Sequence, residues 1–153
     1  MTQSAPSLYR LFYRSRQTPE VAADLDFEVG RIIGSAIRRN RDVDLTGLLL
    51  VAKGHFIQAL EGKDDAVRAT YARISMDSRH SDLHIISQGP ADLRLFGEWN
   101  MCASSLAPSD KAILAVLDGK GDFNPKALTA VSARRLLTTV AEVVSDKRES
   151  VSS

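Results

Sequence analysis

A chain of 153 residues with 44% hydrophobic content has enough apolar material for one domain with a substantial core. Its 20 basic and 19 acidic residues leave a formal charge of +1, which excludes the basic field that nucleic-acid binders display. One cysteine, Cys102, excludes an internal disulfide and a cysteine-cluster zinc site, and with no signal-peptide pattern in MTQSAPSLYR and no membrane-length apolar run, a cytoplasmic protein is expected.

Leu8 to Tyr13 reads as a short strand, and Thr18-Pro19-Glu20 then opens a helical pattern, with proline where its missing N–H does no harm. That helix runs to about Arg39 with an apolar stripe of Leu25, Val29, Ile33 and Ala36, and the next position on the stripe is Asn40. An amide therefore ends the buried face. Gly30 and Gly34 sit one turn apart in it, each costing ~0.5–1 kcal/mol relative to alanine, so tight packing on the sheet, or the close approach of a neighbouring helix or a flat ligand, is expected there.

Leu45 to Ala52 and His55 to Glu61 are β-rich runs split by Lys53-Gly54, the composition of a tight hairpin. A second helix is predicted from about Asp64 to Met76, with Val67, Tyr71 and Ile74 inward and Arg73 one turn from Asp77, close enough for a surface ion pair. Leu83 to Gln88 reads as a fourth strand closed by Gly89-Pro90, and Glu98 to Ala103 as a short fifth. Strand, helix, hairpin, helix, strand is the order of an α+β, ferredoxin-like βαββαβ fold, with two helices on one face of a mixed sheet and an added fifth strand. Helical patterns follow at Lys111 to Leu117 and at Ala127 to Val144, the latter with Val131, Arg135, Leu137, Val140 and Val144 near one side, separated by the turn-rich Asp118 to Pro125. The expected division is a domain over 1–103, a helical pair over 104–145 packing on the sheet, and a disordered tail over 146–153.

Within this order Gln58 stands out as a primary amide in the apolar run LTGLLLVAKGHFIQALEG. Alternation puts Ile57 and Ala59 on one face and Phe56, Gln58 and Leu60 on the other, and an amide left unpaired inside the fold would cost ~1–3 kcal/mol. Something polar must meet it. Taken alone, Tyr13 reads as a core tyrosine, Asn40 as a helix C-terminal cap, and Gln58 as an edge-strand residue facing water. Alternation over the expected last strand puts Trp99 and Met101 on one face.

Tyr13 in LYRLFYRS, Asn40 before LTGLLL, Gln58 in GHFIQALEG, DSRH from Asp77 to His80, and Trp99 with Met101 in FGEWNM together resemble the BLUF family of flavin-binding blue-light sensors, over about Leu8 to Met101. The resemblance implies that Tyr13 is the light-driven electron and proton donor. It also implies that Gln58 bridges that phenol and the flavin, and that Asn40 holds the flavin's polar edge. By the same resemblance Asp77, Arg79 and His80 contact the flavin, Ile32, Ile33 and Phe56 supply apolar wall, and Trp99 or Met101 carries the change onward. Ala36 and Arg39 depart from the family pattern beside the ring. The implied cofactor is flavin adenine dinucleotide (FAD), with the mononucleotide (FMN) as the alternative. Amides suit such an edge because they present a donor and an acceptor side by side on two atoms of one planar group.

The implied function is a non-enzymatic photoreceptor whose Tyr13–Gln58 relay rearranges hydrogen bonds and signals through the last strand and C-terminal helices. About 50 residues follow Met101, too few for a catalytic domain, so the expected output is a homo-oligomer or a separate effector such as a cyclic-dinucleotide phosphodiesterase. The competing readings are a small ferredoxin-like enzyme, either a flavin reductase or an acylphosphatase-type hydrolase using Arg14-Ser15-Arg16, and a flavin-free interaction module. His55, His80 and His84 do not share a metal-ligand spacing, and neither Ser15 nor Ser78 has an obvious base beside it.

Overall fold

A computed structural model of the chain describes residues 8–52, 54–101, 103–105 and 125–152. Its elements in chain order are β1 (Leu8–Gln17), α1 (Pro19–Ala23), α2 (Leu25–Asp42), β2 (Thr46–Ala52), β3 (His55–Lys63), α3 (Asp64–Ser75), β4 (His80–Ala91), β5 (Ala103–Ser105), a 3-10 turn (Pro125–Ala127) and α4 (Ala130–Ser152). The strands lie in the order β4-β1-β3-β2-β5. β1 pairs antiparallel with β3 and β4, β2 antiparallel with β3, and β5 parallel with β2. This is the ferredoxin-like arrangement with a fifth strand added at one edge.

The sheet separates two cores. On one face Tyr9, Leu11, Tyr13, Leu49, Phe56, Leu60 and Met101 pack with Val29, Ile33 and Ile37 of α2 and Ala66, Tyr71 and Ile74 of α3. On the other, Phe12, Leu48, Leu50, Ile57 and Ala59 pack with Phe96, Trp99 and Leu136, Leu137 and Val140 of α4. The alternation read across β3 is thus realised. Val131, expected on the inner side of α4, is instead 70% exposed, because Ala133, Leu136, Leu137, Val140 and Ala141 form the stripe that faces the sheet. α4 also runs to Ser152, past the boundary expected at 145; the Lys-Arg-Glu composition that read as a polar tail equally favours helix.

Several boundaries moved. β1 extends four residues beyond Tyr13 as Arg14–Gln17, because its inward side chains there, Ser15 and Gln17, are polar yet bonded, Gln17 through Nε2 to the His55 carbonyl at 3.1 Å. The first helix is broken at Asp24, whose φ of −138° is not helical, so the Thr18 cap and Pro19 open only the short α1. β4 runs through Gly89-Pro90 to Ala91. The expected strand from Glu98 shrinks to Ala103–Ser105, since residues 97–101 form a turn and irregular backbone in which the Trp99 N–H bonds the Phe96 carbonyl at 3.3 Å. Lys53, Cys102, the helical pattern from Lys111 to Leu117 and most of the Asp118 to Pro125 turn lie outside the described residues.

A buried carboxylate holds the connection between β4 and β5. Glu61, at 0% exposure, accepts from Arg10 Nε at 2.7 Å and from the backbone N–H groups of Leu95 and Phe96 at 2.7 and 2.8 Å. Arg94 adds bonds to Thr46 Oγ1 at 2.9 Å and to the Asp44 carbonyl at 2.9 Å. Glu61→Ala would strip the Arg10 guanidinium of its carboxylate, leaving it only the Leu93 carbonyl, and would open two backbone donors, so it is expected to lower unfolding free energy by about 3 kcal/mol in urea titrations. A loss below about 1 kcal/mol would show that the clamp is solvated rather than structural.

Candidate functional site

The pocket forms where α2 and α3 diverge over the central strands. It is lined by Tyr13, Ile32, Ser35, Ala36, Arg39, Asn40, Leu49, Phe56, Gln58, Leu60, Thr70, Arg73, Ile74, Asp77, Arg79, His80 and Met101. Strand register assembles its centre: Tyr13 and Gln58 are direct partners across β1 and β3, and Leu49 is the partner of Gln58 across β2. Directly opposite residues on one face stand within side-chain reach, so the phenol and the amide meet without any loop to place them.

Gln58, only 4% exposed, makes two contacts of different quality. The Tyr13 hydroxyl donates to Gln58 Oε1, and Gln58 Nε2 donates to the thioether sulfur of Met101 at 3.3 Å. The first joins strong partners, whereas a thioether is a weak acceptor. The phenol therefore fixes which end of the amide points where, and the methionine end is the loosely held one. Burial pushes the Tyr13 phenol far above its ordinary value of 10.0, with the neighbouring Tyr71 and Asp77 adding in the same direction. Tyr71, edge-on to Tyr13 with ring centroids 5.4 Å apart, is also raised by its own burial.

Asn40 is 2% exposed and lies inside α2, whose cap is Val43, so it is not the C-terminal cap. It donates through Nδ2 to the Asn100 carbonyl at 2.7 Å. Asp77 does not pair with Arg73. Its carboxylate instead takes a forked bond from Arg79, Nη2 to Oδ2 at 2.6 Å and Nε to Oδ1 at 2.9 Å, and Arg73 lines the pocket. That fork holds the Asp77 carboxyl below its usual range and raises the Arg79 guanidinium.

Ser15 does have a base beside it, which positions on two strands 65 residues apart conceal: its Oγ lies 2.7 Å from His80 Nδ1, while His80 Nε2 meets the Ile74 carbonyl at 2.7 Å. With Nε2–H donating to that carbonyl, Nδ1 accepts from Ser15. Ser15 is 1% exposed and does not line the pocket, so the pair staples α3 to β1 rather than presenting a nucleophile. Arg14-Ser15-Arg16 forms part of β1, which removes the phosphate-cradling loop of the hydrolase reading.

Two expected site residues stand elsewhere. Ile33 packs into the core beneath α2, one position round from Ile32, and Trp99 lies on the far face of the sheet among Phe96, Leu136 and Val140. Trp99 and Met101 are thus on opposite faces, because the turn preceding β5 abolishes the alternation that was to align them. Sequence reasoning missed Ser35, Leu49, Leu60 and Thr70 as pocket wall; Thr70, one position before Tyr71 on the inward side of α3, was the readable one. It also missed Asn100, for which neighbouring amide chemistry was the only signal.

Gly30 and Gly34 have open space where a Cβ would stand, so sheet packing does not explain them. They floor a groove with Arg31, Ser35, Arg38 and Arg79, continuous with the pocket through the shared Ser35 and Arg79. An apolar-walled slot with amides at one edge and arginines along its outer continuation fits an aromatic ring carrying a phosphate-bearing tail.

A phenol, two amides and a thioether thus converge in one slot on a ferredoxin-like sheet. The chain belongs to the BLUF family: the family model described as sensors of blue light using FAD matches residues 8–102. The photoactivated adenylate cyclase subunit beta of Euglena longa is 32% identical over 102 residues, 65% of this chain. The corresponding subunit of Euglena gracilis is equally similar. The chain spans only 12% of the length of those relatives. Among solved structures, BlsA in its photo-activated state matches with TM-score 0.78 and 25% identity, covering 88% of this chain and 94% of that one. BlrB in its dark state matches with TM-score 0.71 and 27% identity, covering 90% and 98%.

Because the folded phenol ionises only well above 10.0, the stability it contributes is complete below that value and is lost as pH rises beyond it. In an alkaline titration followed at the tyrosinate band, Tyr13 is expected to ionise only as the protein unfolds. The wild-type stability curve should fall more steeply above pH 10 than that of Tyr13→Phe; equal slopes would contradict the assigned burial of the phenol.

Proposed function

We propose that this chain is a blue-light photoreceptor module in which Gln58 is the moving part and the segment before β5 is the receiver. Asn40 and Gln58 would hold the polar edge of the FAD ring, Phe56, Ile32, Leu49 and Leu60 its faces, and Arg31, Arg38 and Arg79 the diphosphate. When bound, the flavin supplies a chromophore whose excited state accepts an electron and a proton. The observation that carries the proposal is the chain of contacts from the Tyr13 hydroxyl through the Gln58 amide to the Met101 sulfur.

Tyr13 is the donor in this scheme. It is neutral and already bonded to an acceptor, so loss of its electron and movement of its proton towards Gln58 occur along a preformed path. An amide that turns over, or tautomerises, no longer presents its NH2 to Met101. A thioether has no proton to give, so the turned amide finds no partner there and the Met101 contact opens. The change is on the order of 1 kcal/mol, which suffices only if the receiving segment has two arrangements of similar energy.

That receiver reaches the opposite face of the sheet. Trp99, two residues before Met101, packs against α4, its indole N–H has no partner among the described residues, and Glu98 accepts from Ser145 Oγ of α4 at 3.1 Å. A shift of Met101 therefore acts on α4, and we assign the output to the outer surface of that helix, through a second copy or a separate effector. A cyclic-dinucleotide phosphodiesterase is one such effector; the structural neighbour BlrP1 of Klebsiella pneumoniae is described in complex with cyclic diGMP. BLUF domains are photosensors, and we assign no catalysis to this chain. Among the described residues no helix is long and apolar enough to cross a membrane, and we place its action in the cytoplasm.

The FAD-loaded protein is expected to shift its visible bands to the red on blue illumination and to revert in darkness. Tyr13→Phe and Gln58→Leu should each keep bound flavin and lose the normal shift. A full photocycle in either variant would overturn the relay.

A further inference from the structure

Both pocket amides end on consecutive residues of one segment. Gln58 reaches the Met101 sulfur at 3.3 Å, and Asn40 reaches the main-chain carbonyl of Asn100 at 2.7 Å. Asn100 then uses its own side chain, Nδ2 donating to the Leu45 carbonyl at 3.0 Å, while the Leu45 N–H bonds the Asn40 carbonyl at 2.8 Å. The three bonds close a ring joining the end of α2, the start of β2 and the segment before β5. One residue earlier, the Trp99 carbonyl accepts from the Gly47 N–H at 3.1 Å. A Cβ at Gly47 would run into the Ala59 carbonyl and press on the Met101 methyl, so the segment lies directly against bare backbone.

We propose that Asn100 is a positioning residue, a latch that holds Met101 in register for Gln58 and lets the segment be read by both pocket amides at once. The Met101 contact alone is too weak to place a turn, because sulfur is a poor acceptor. The amide at position 100 makes up for it with a bond to the Leu45 carbonyl, which holds the residue's main-chain carbonyl where Asn40 donates to it. With the latch closed, release of Met101 by Gln58 is a local, reversible event; with it open, Met101 is already partly released in darkness. This inference rests on the Gln58 relay proposed above and adds to it a residue that does not line the pocket.

Asn100→Asp tests it, since aspartate keeps the shape and the main-chain carbonyl but removes the donor to Leu45. Asn100→Ala removes the side chain altogether. In FAD-loaded protein both variants should show a dark spectrum already displaced towards the red and a light-minus-dark difference at least two-fold smaller than wild type. A merely structural role would lower the melting temperature without moving the dark bands. Dark bands and difference amplitude equal to wild type in both variants would overturn the proposal. The second readout uses flavin-free protein: the 13C shift of the Met101 methyl should move towards that of a solvated methionine in both variants, and an unchanged shift would overturn the latch even if the variants bound no flavin. Failure of the relay itself is separately visible as a wild-type protein that binds FAD and shows no red shift.

Discussion

The bond from the Tyr13 hydroxyl to Gln58 Oε1 sets the polarity of the whole site. A phenol this deeply buried keeps its proton at ordinary pH, and here it donates that proton to Oε1, so the amide turns its oxygen to the tyrosine and its NH2 away. That leaves Met101 as the acceptor at the far end. One strong and one weak bond on the same amide make a two-position element, because what stabilises the present orientation is mostly the tyrosine end. Anything that takes the phenol's proton removes that preference.

Around this element two sets of hydrogen bonds clamp the chain. Glu61 and Arg94 fix residues 94–96 to β3 and to the start of β2 from the side opposite the pocket. The Asn40–Asn100–Leu45 ring fixes the chain again at residue 100. Between the two clamps lie the turn, Glu98 against Ser145, and Trp99 in the core beneath α4. Met101 stands one residue beyond the second clamp, so on the proposed route a displacement there passes through residue 100 to this short piece of chain, which touches the core beneath the helix on the other face of the sheet.

Much of this was legible in the residues. The period-two pattern through Phe56, Gln58 and Leu60 located the buried amide and its face, and the α2 stripe ending on Asn40 located the second amide, because side-chain periodicity reports facing directly. What failed did so where periodicity does not apply. Strand alternation predicts a shared face for Trp99 and Met101, and a turn puts them in opposite cores. Arg73 was paired with Asp77 by helix spacing, whereas Arg79, two residues on in the following loop, holds the carboxylate. Ser15 with His80, and Glu61 with Arg10 and the 95–96 backbone, are contacts between residues far apart in the chain, and no local pattern encodes them. For Gly30 and Gly34 composition leaves packing and a ligand equally open, and only the open space over them speaks against packing.

The central claim is that light exchanges the partners of the Gln58 amide, and its side-chain 15N–1H2 resonances report those partners directly. In FAD-loaded protein with 15N-labelled glutamine, assigned through Gln58→Leu, the Gln58 NH2 signals should occupy one position in darkness and a distinct one under blue light. The Met101 methyl should shift in parallel, and both should return in the dark. Gln58 resonances that stay fixed while the visible bands shift would contradict the account.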